Sequence, residues 1–101
     1  MPAYIIVYRE SPVRDAVSIA EYSRRNHENA ADFQNTFGIR ALAAYGRSEA
    51  LEGDAPDGVV LLEFPSVDAA KAWYDSPAYQ EALAYRKDAA DWRVVIVEGL
   101  S

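Results

Sequence analysis

The chain has 101 residues, half of them hydrophobic and 26% charged, with no cysteine. That is enough for one modest core, so a single domain over residues 1–101 is expected. A formal charge of −6 argues against nucleic acid, where Lys and Arg must neutralise phosphates, and against an anionic membrane surface. The missing cysteines exclude disulfides, thiolate nucleophiles and zinc–thiolate sites. This usage fits a cytoplasmic protein whose partners are small molecules or protein.

The amino terminus MPAYIIVYRE lacks a basic n-region and a small-residue cleavage site, and is not expected to be a signal peptide. Its apolar run is far short of the ~18 residues of a membrane span. Ala3 to Arg9 reads as a strand, closed by Ser11-Pro12. From about Asp15 to Phe37 the apolar residues Ile19, Tyr22, Ala30, Phe33 and Phe37 recur at helical spacing, and Gly38 is placed to end the helix. Ile39 to Tyr45 is an Ala-rich strand. The segment RSEALEGDAPDG that follows is a turn-rich acidic loop with room for a short edge strand.

Gly58 to Phe64 is a strand. Ser66 is a good N-cap for a helix over VDAAKAWYD. Ser76-Pro77 is a second start signal, a capping Ser with Pro at the first helical position. The aromatic-rich stretch from residue 70 to 86 is therefore expected to form two angled helical pieces, mostly core, the second reaching Ala89 or Ala90. Trp92 to Glu98 is the last strand. The order β-α-β-β-α-β predicts an α+β, ferredoxin-like sandwich with an antiparallel four-stranded sheet.

The strands YIIVY, VVLL and VVIV are apolar at consecutive positions, so both sheet faces are expected to be covered. Two helices can cover only one. A second copy of the chain is the simplest cover for the other, giving a homodimer packed sheet to sheet with a cavity between the sheets.

The segments LEGD (51–54), LLEFPSVDAAKAWYDSPAYQEA (61–82), Arg86 and VIVEG (95–99) resemble the domain of unknown function 1330 family of the dimeric α/β-barrel superfamily. The resemblance is strongest over residues 49 to 99, with FPS…A…WYDSPAYQ its most specific part. In the first half it rests on the opening strand and Tyr22. It implies a ferredoxin-like subunit that pairs as a dimeric α/β barrel. Relatives in that superfamily include cofactor-free monooxygenases, small-molecule isomerases and stress-induced proteins, an analogy at the level of fold. The family's usual Gly-Gly before the second strand reads Gly38-Ile39 here. Its Arg-Gly-Gly near the strand's end reads Ala44-Tyr45-Gly46, so that arginine's role falls to Arg40 or Arg47 or is absent.

Few residues suggest chemistry. His27 is the only histidine, the side-chain type whose unperturbed pKa lies near neutrality, and it sits at the edge of the apolar helix stripe, among polar neighbours that favour the surface. Glu63 interrupts an apolar strand and must be paired or have a raised pKa if buried. It is a candidate general base or ligand anchor, against an ion pair with Arg40 or Arg93. His27 and Glu63 are the catalytic candidates. Tyr4, Tyr8, Arg40, Tyr45 and Arg86 are the ligand-binding candidates. Arg86 shares a helix face with Tyr79, which suggests a structural stack or, alternatively, an anion site. Glu49, Glu52, Asp54 and Asp57 lack EF-hand spacing and read as a solvated turn. No phosphate loop, nucleophile elbow or paired-His motif is present, so neither a cofactor nor a metal is expected. Three readings follow. The first is a protein binding a small apolar or aromatic metabolite, the second a cofactor-free enzyme acting on one, and the third a non-catalytic structural or stress-related dimer.

Overall fold

The computed structural model describes residues 1–100. Ala3–Arg9 forms β1, and its burial alternates along the strand, with Ala3, Ile5 and Val7 buried. Two helices follow, α1 over Ala16–Glu28 and α2 over Ala30–Phe37, then β2 over Arg40–Ala44 and β3 over Gly58–Phe64. The second half adds α3 over Val67–Asp75, α4 over Pro77–Arg86 and β4 over Trp92–Glu98. The sheet is antiparallel throughout, in the order β2-β3-β1-β4. This is the ferredoxin-like arrangement that the element order predicts.

The capping chemistry explains most element boundaries. Asp15 accepts a hydrogen bond from the Ser18 backbone N–H at the start of α1. Gly38 ends α2 in the left-handed conformation at φ 70°. A Cβ there would also lie 2.7 Å from Pro65 Cγ, so Gly38 is needed for both its backbone and its packing. Ser66 caps α3 through the Ala69 N–H, and Ser76 caps α4 through the Tyr79 N–H.

The helix expected over 15–37 is instead two helices meeting at Asn29. There φ is −91° and ψ 0°, and both the Asn29 N–H and its Nδ2 donate to the Arg25 carbonyl. A side-chain amide competing for a helix carbonyl is the physical reason for the break. The last helix ends at Arg86 rather than at Ala89 or Ala90, because the Arg86 carbonyl turns to accept from the Ala89 N–H and from Trp92 Nε1. Among the described residues the acidic loop holds no strand. Leu42 marks a bulge in β2, where the register to β3 shifts between Ala41 and Ala43.

The core lies between the helices and one face of the sheet. Ile5, Val7 and Phe64 from the strands meet Phe33, Ala70, Trp73 and Tyr79 from the helices. Each large apolar side chain buried in this way contributes about 1.5–3 kcal/mol. The other face presents Tyr4, Ile6 and Tyr8 from β1 beside their cross-strand partners Glu63, Leu61 and Val59 of β3 and Val97, Val95 and Arg93 of β4. No described helix packs on that face.

Candidate functional site

The helices do not seal the sheet completely. Where α1 and α2 stand over β1, β2 and β3 they leave a cavity of about 410 Å³, within the ~300–1,000 Å³ range of small-molecule sites. Its floor is Ile5, Val7, Val60, Leu62 and Val94 from the sheet, and its walls are Tyr22, Phe33, Trp73, Tyr74 and Tyr79. Ala30, Gln34, Arg40, Ala41 and Tyr45, all exposed, form the rim. A hollow of about 600 Å³ near the end of α4 is larger, but it is open and bordered by Arg14, Lys87, Asp88 and Asp91.

The aromatic wall is built by the α3–α4 joint. Ser76 Oγ caps α4 and also donates to the Trp73 carbonyl at 2.7 Å, tying the end of one helix to the start of the next. The joint brings the Trp73 and Tyr79 rings to 4.0 Å between centroids. Phe33 and Phe64 pack against Trp73. Across the cavity the Tyr22 and Tyr79 hydroxyls share a hydrogen bond of 2.9 Å. Burial pushes the Tyr79 hydroxyl far above the ordinary phenol range, with Tyr22 adding to the shift and Arg86 opposing it. Tyr79 is therefore a neutral phenol, not a phenolate.

Tyr45, just after β2, is the one non-glycine residue at positive φ among those described, at 56°. Its ring lies over Gly58, where a Cβ would come within 2.6 Å of Tyr45 Cδ1, and beside the Arg9 guanidinium, 5.5 Å from the ring centroid. Desolvation raises the Tyr45 pKa, Tyr22 adds to this, and Arg9 and Arg86 oppose it.

Arg86 is 4% exposed and lines the cavity. Its guanidinium stacks on Trp92 at 4.7 Å and Tyr22 at 5.6 Å, rather than on Tyr79 as the helical spacing suggests. It forms no salt bridge among the described residues. Among the described residues five buried side-chain atoms have no hydrogen-bond partner, and four belong to cavity residues: Asn26 Oδ1, Trp73 Nε1, Arg86 Nε and Arg86 Nη1. Buried polar atoms are nearly always paired, so this clustering marks the cavity as a place with unmet polar demand.

The residues singled out from sequence divide between two faces. Arg86, Tyr45 and Arg40 line the cavity, although Arg40 turns outward to pair with Glu63 at 2.8 Å. Tyr4, Tyr8 and Glu63 stand on the opposite sheet face, Tyr8 under the Arg93 guanidinium at 4.4 Å. His27 is exposed near the end of α1 and does not line the cavity. Arg47 is exposed in the loop. The subunit's own cavity is thus under the helices, where Tyr22, Asn26, Trp73 and Tyr79 leave space among themselves as well as filling the core; the cavity expected from sequence lies between the sheets of two copies and is a separate place. Sequence reasoning does not single out Tyr22, Asn26, Trp73 and Tyr79 as cavity residues. The signal available was a cluster of aromatics with polar tips on the core faces of three helices.

These features define a ferredoxin-like α+β subunit with an aromatic cavity between its helices and its sheet. The chain belongs to the domain of unknown function family DUF1330, which matches residues 2–100. It is similar in structure to a protein of unknown function from Rhodopseudomonas palustris, with 22% sequence identity, coverage of 99% of this chain and 83% of that one, and a TM-score of 0.72. It is also similar to a dimeric ferredoxin-like protein of unknown function from Jannaschia sp. CCS1, at 18% identity, 98% and 100% coverage and a TM-score of 0.73. A cofactor-independent oxygenase from Streptomyces nogalater is more distant, at 12% identity, 99% and 94% coverage and a TM-score of 0.56. No curated protein matches the chain. No described helix is long and apolar enough to cross a membrane.

Proposed function

We propose that the protein binds a small, flat, predominantly apolar or aromatic metabolite in the cavity under its helices, and works as a homodimer. The observation that carries this reading is the cavity of about 410 Å³ walled by Trp73, Tyr79, Tyr22 and Phe33. A structural role alone would favour a space filled by the protein's own side chains. The candidates that line the cavity are Tyr45 and Arg86, joined by Tyr22, Asn26 and Tyr79. Glu63 and His27 point elsewhere, and a catalytic role for either needs a second site. Support for the dimer comes from the apolar sheet face and from the dimeric description of the Jannaschia protein.

A second reading is supported by the likeness to the Streptomyces nogalater oxygenase. In it the same cavity hosts cofactor-free chemistry, with the Tyr22–Tyr79 pair and Arg86 as proton and charge partners.

Titration with 2-naphthol, a neutral flat aromatic, tests the binding reading through the fluorescence of Trp73 and Trp92. Wild-type protein is expected to bind saturably. Val60→Phe, which fills the floor, should weaken binding by about ten-fold or more, about 1.4 kcal/mol. Absence of binding to wild type, or equal binding by the filled variant, would overturn the assignment.

A further inference from the structure

We propose that Arg86 is an anion-binding subsite and that the natural ligand carries a carboxylate on its aromatic or apolar body. The proposal rests on the cavity being a ligand site and names the chemical class of what enters it.

A guanidinium stays protonated in any protein environment, and a buried charge is costly unless it is paired and hydrogen-bonded. Arg86 is 4% exposed and its Nε and Nη1 have no partner. The rings of Trp92 and Tyr22 lie within cation–π range. A guanidinium's N–H bonds, however, lie in its plane, so such stacking leaves the donors at its edges open.

Among the described residues no carboxylate lies within ion-pair distance of Arg86; Asp88 and Asp91, which border the open hollow on its other side, are exposed, and Asp91 pairs with Arg14. The cavity lining contains no Asp or Glu. The Tyr79 hydroxyl is held neutral by burial. Arg40, the other cation of the lining, is already paired with Glu63. The protein carries a net charge of −6 yet keeps this one cation unmatched inside an apolar cavity.

The neighbouring orphans indicate what would match it. Trp73 Nε1 adds a third unpartnered buried nitrogen, so unmet donors outnumber the single unmet acceptor, Asn26 Oδ1. A carboxylate has two oxygens and about four acceptor sites, enough to serve several donors at once. Arg and carboxylate also form the stronger, charge-assisted kind of hydrogen bond. A neutral hydrocarbon would leave every one of these groups unsatisfied.

The test compares 2-naphthoate with 2-naphthamide, which share size and shape but differ in charge, in wild type, Arg86→Met and Arg86→Lys at neutral pH. Wild type should bind the naphthoate at least about ten-fold more tightly than the amide, about 1.4 kcal/mol. Arg86→Met should lose that preference, binding the two probes with similar affinity, and Arg86→Lys should retain part of it. If wild type binds both probes equally, the anion subsite is wrong while the cavity reading stands. If wild type binds neither, the cavity reading fails and this inference with it. Should Arg86→Met not fold, the wild-type pair and the lysine variant still decide the matter.

Discussion

Among single residues, Tyr45 and Gly58 show how closely the rim of the cavity is fitted. Tyr45 occupies a backbone conformation that costs a bulky residue of order 1–3 kcal/mol, and its ring lies over a residue that has no side chain. Gly58→Ala would place a Cβ 2.6 Å from that ring, and overpacking of this kind typically costs about 1–3 kcal/mol. Tyr45→Ala alone should cost less, since half of the side chain is exposed. In urea unfolding the double variant should be more stable than the sum of the single effects predicts, because removing the ring removes the clash. Strict additivity would show that the two residues are not coupled. Nothing in the local sequence around Ala44-Tyr45-Gly46 announces this, since Gly58 lies across a β-ladder. The same distance explains why Arg86 is legible as a ligand candidate but not its surroundings. Its helix partner Tyr79 can be read from spacing, whereas Tyr22 and Trp92, the rings it stacks on, come from α1 and β4.

At the level of elements, the α3–α4 joint couples stability to the shape of the cavity. Ser76→Ala removes the N-cap of α4 and the hydroxyl's bond to the Trp73 carbonyl, a loss of about 1 kcal/mol. In a domain of this size that corresponds to a fall of roughly 4–8 °C in Tm. Affinity for 2-naphthol should fall as well, since Trp73 and Tyr79 flank the joint. Ser66→Ala, which removes only the cap of α3, should lower Tm without a comparable loss of affinity. Equal effects on affinity from both variants would mean that the joint does not set the wall. These two helices and all four strands are readable from sequence, because Ser-x-x caps, Pro at the first helical position and apolar runs, Ala-rich in β2, are local signals. The break at Asn29 is not, because a helical apolar period continues across it. The side of the sheet that holds the cavity is also hidden. Periodicity tells which residues face the helices, not whether those residues close the space between them.

The whole molecule has more surface than a monomer of its mass should. Folded monomers of 11.2 kDa expose about 5,700 Å² by the usual scaling with mass, whereas this chain exposes 6540 Å². The excess is on the order of the ~800 Å² that each partner contributes to a standard interface. The chain is also slab-shaped, 32 × 32 × 18 Å, with the flat apolar face of Ile6, Leu61, Val95 and Val97 open on one side. Val95 and Val97 are 39% and 49% exposed, and the ion pairs Arg40–Glu63 and Arg93–Glu10 are on β2–β3 and beside the start of β4. An apolar centre with polar edges is the anatomy of a protein interface, and a second copy presents the same apolar face by symmetry. In sedimentation at micromolar concentration wild type should run at twice the mass of the chain. Leu61→Glu, which puts a charge at the centre of that face, should run as a single chain. A monomeric wild type would remove the homodimer from the proposal. Binding of 2-naphthol by Leu61→Glu then locates the cavity's dependence. Affinity retained in the monomer means that each subunit owns its site, as the placement of Trp73, Tyr79 and Arg86 under the helices leads us to expect. Affinity lost with the dimer would mean that a second copy shapes the cavity through the sheet.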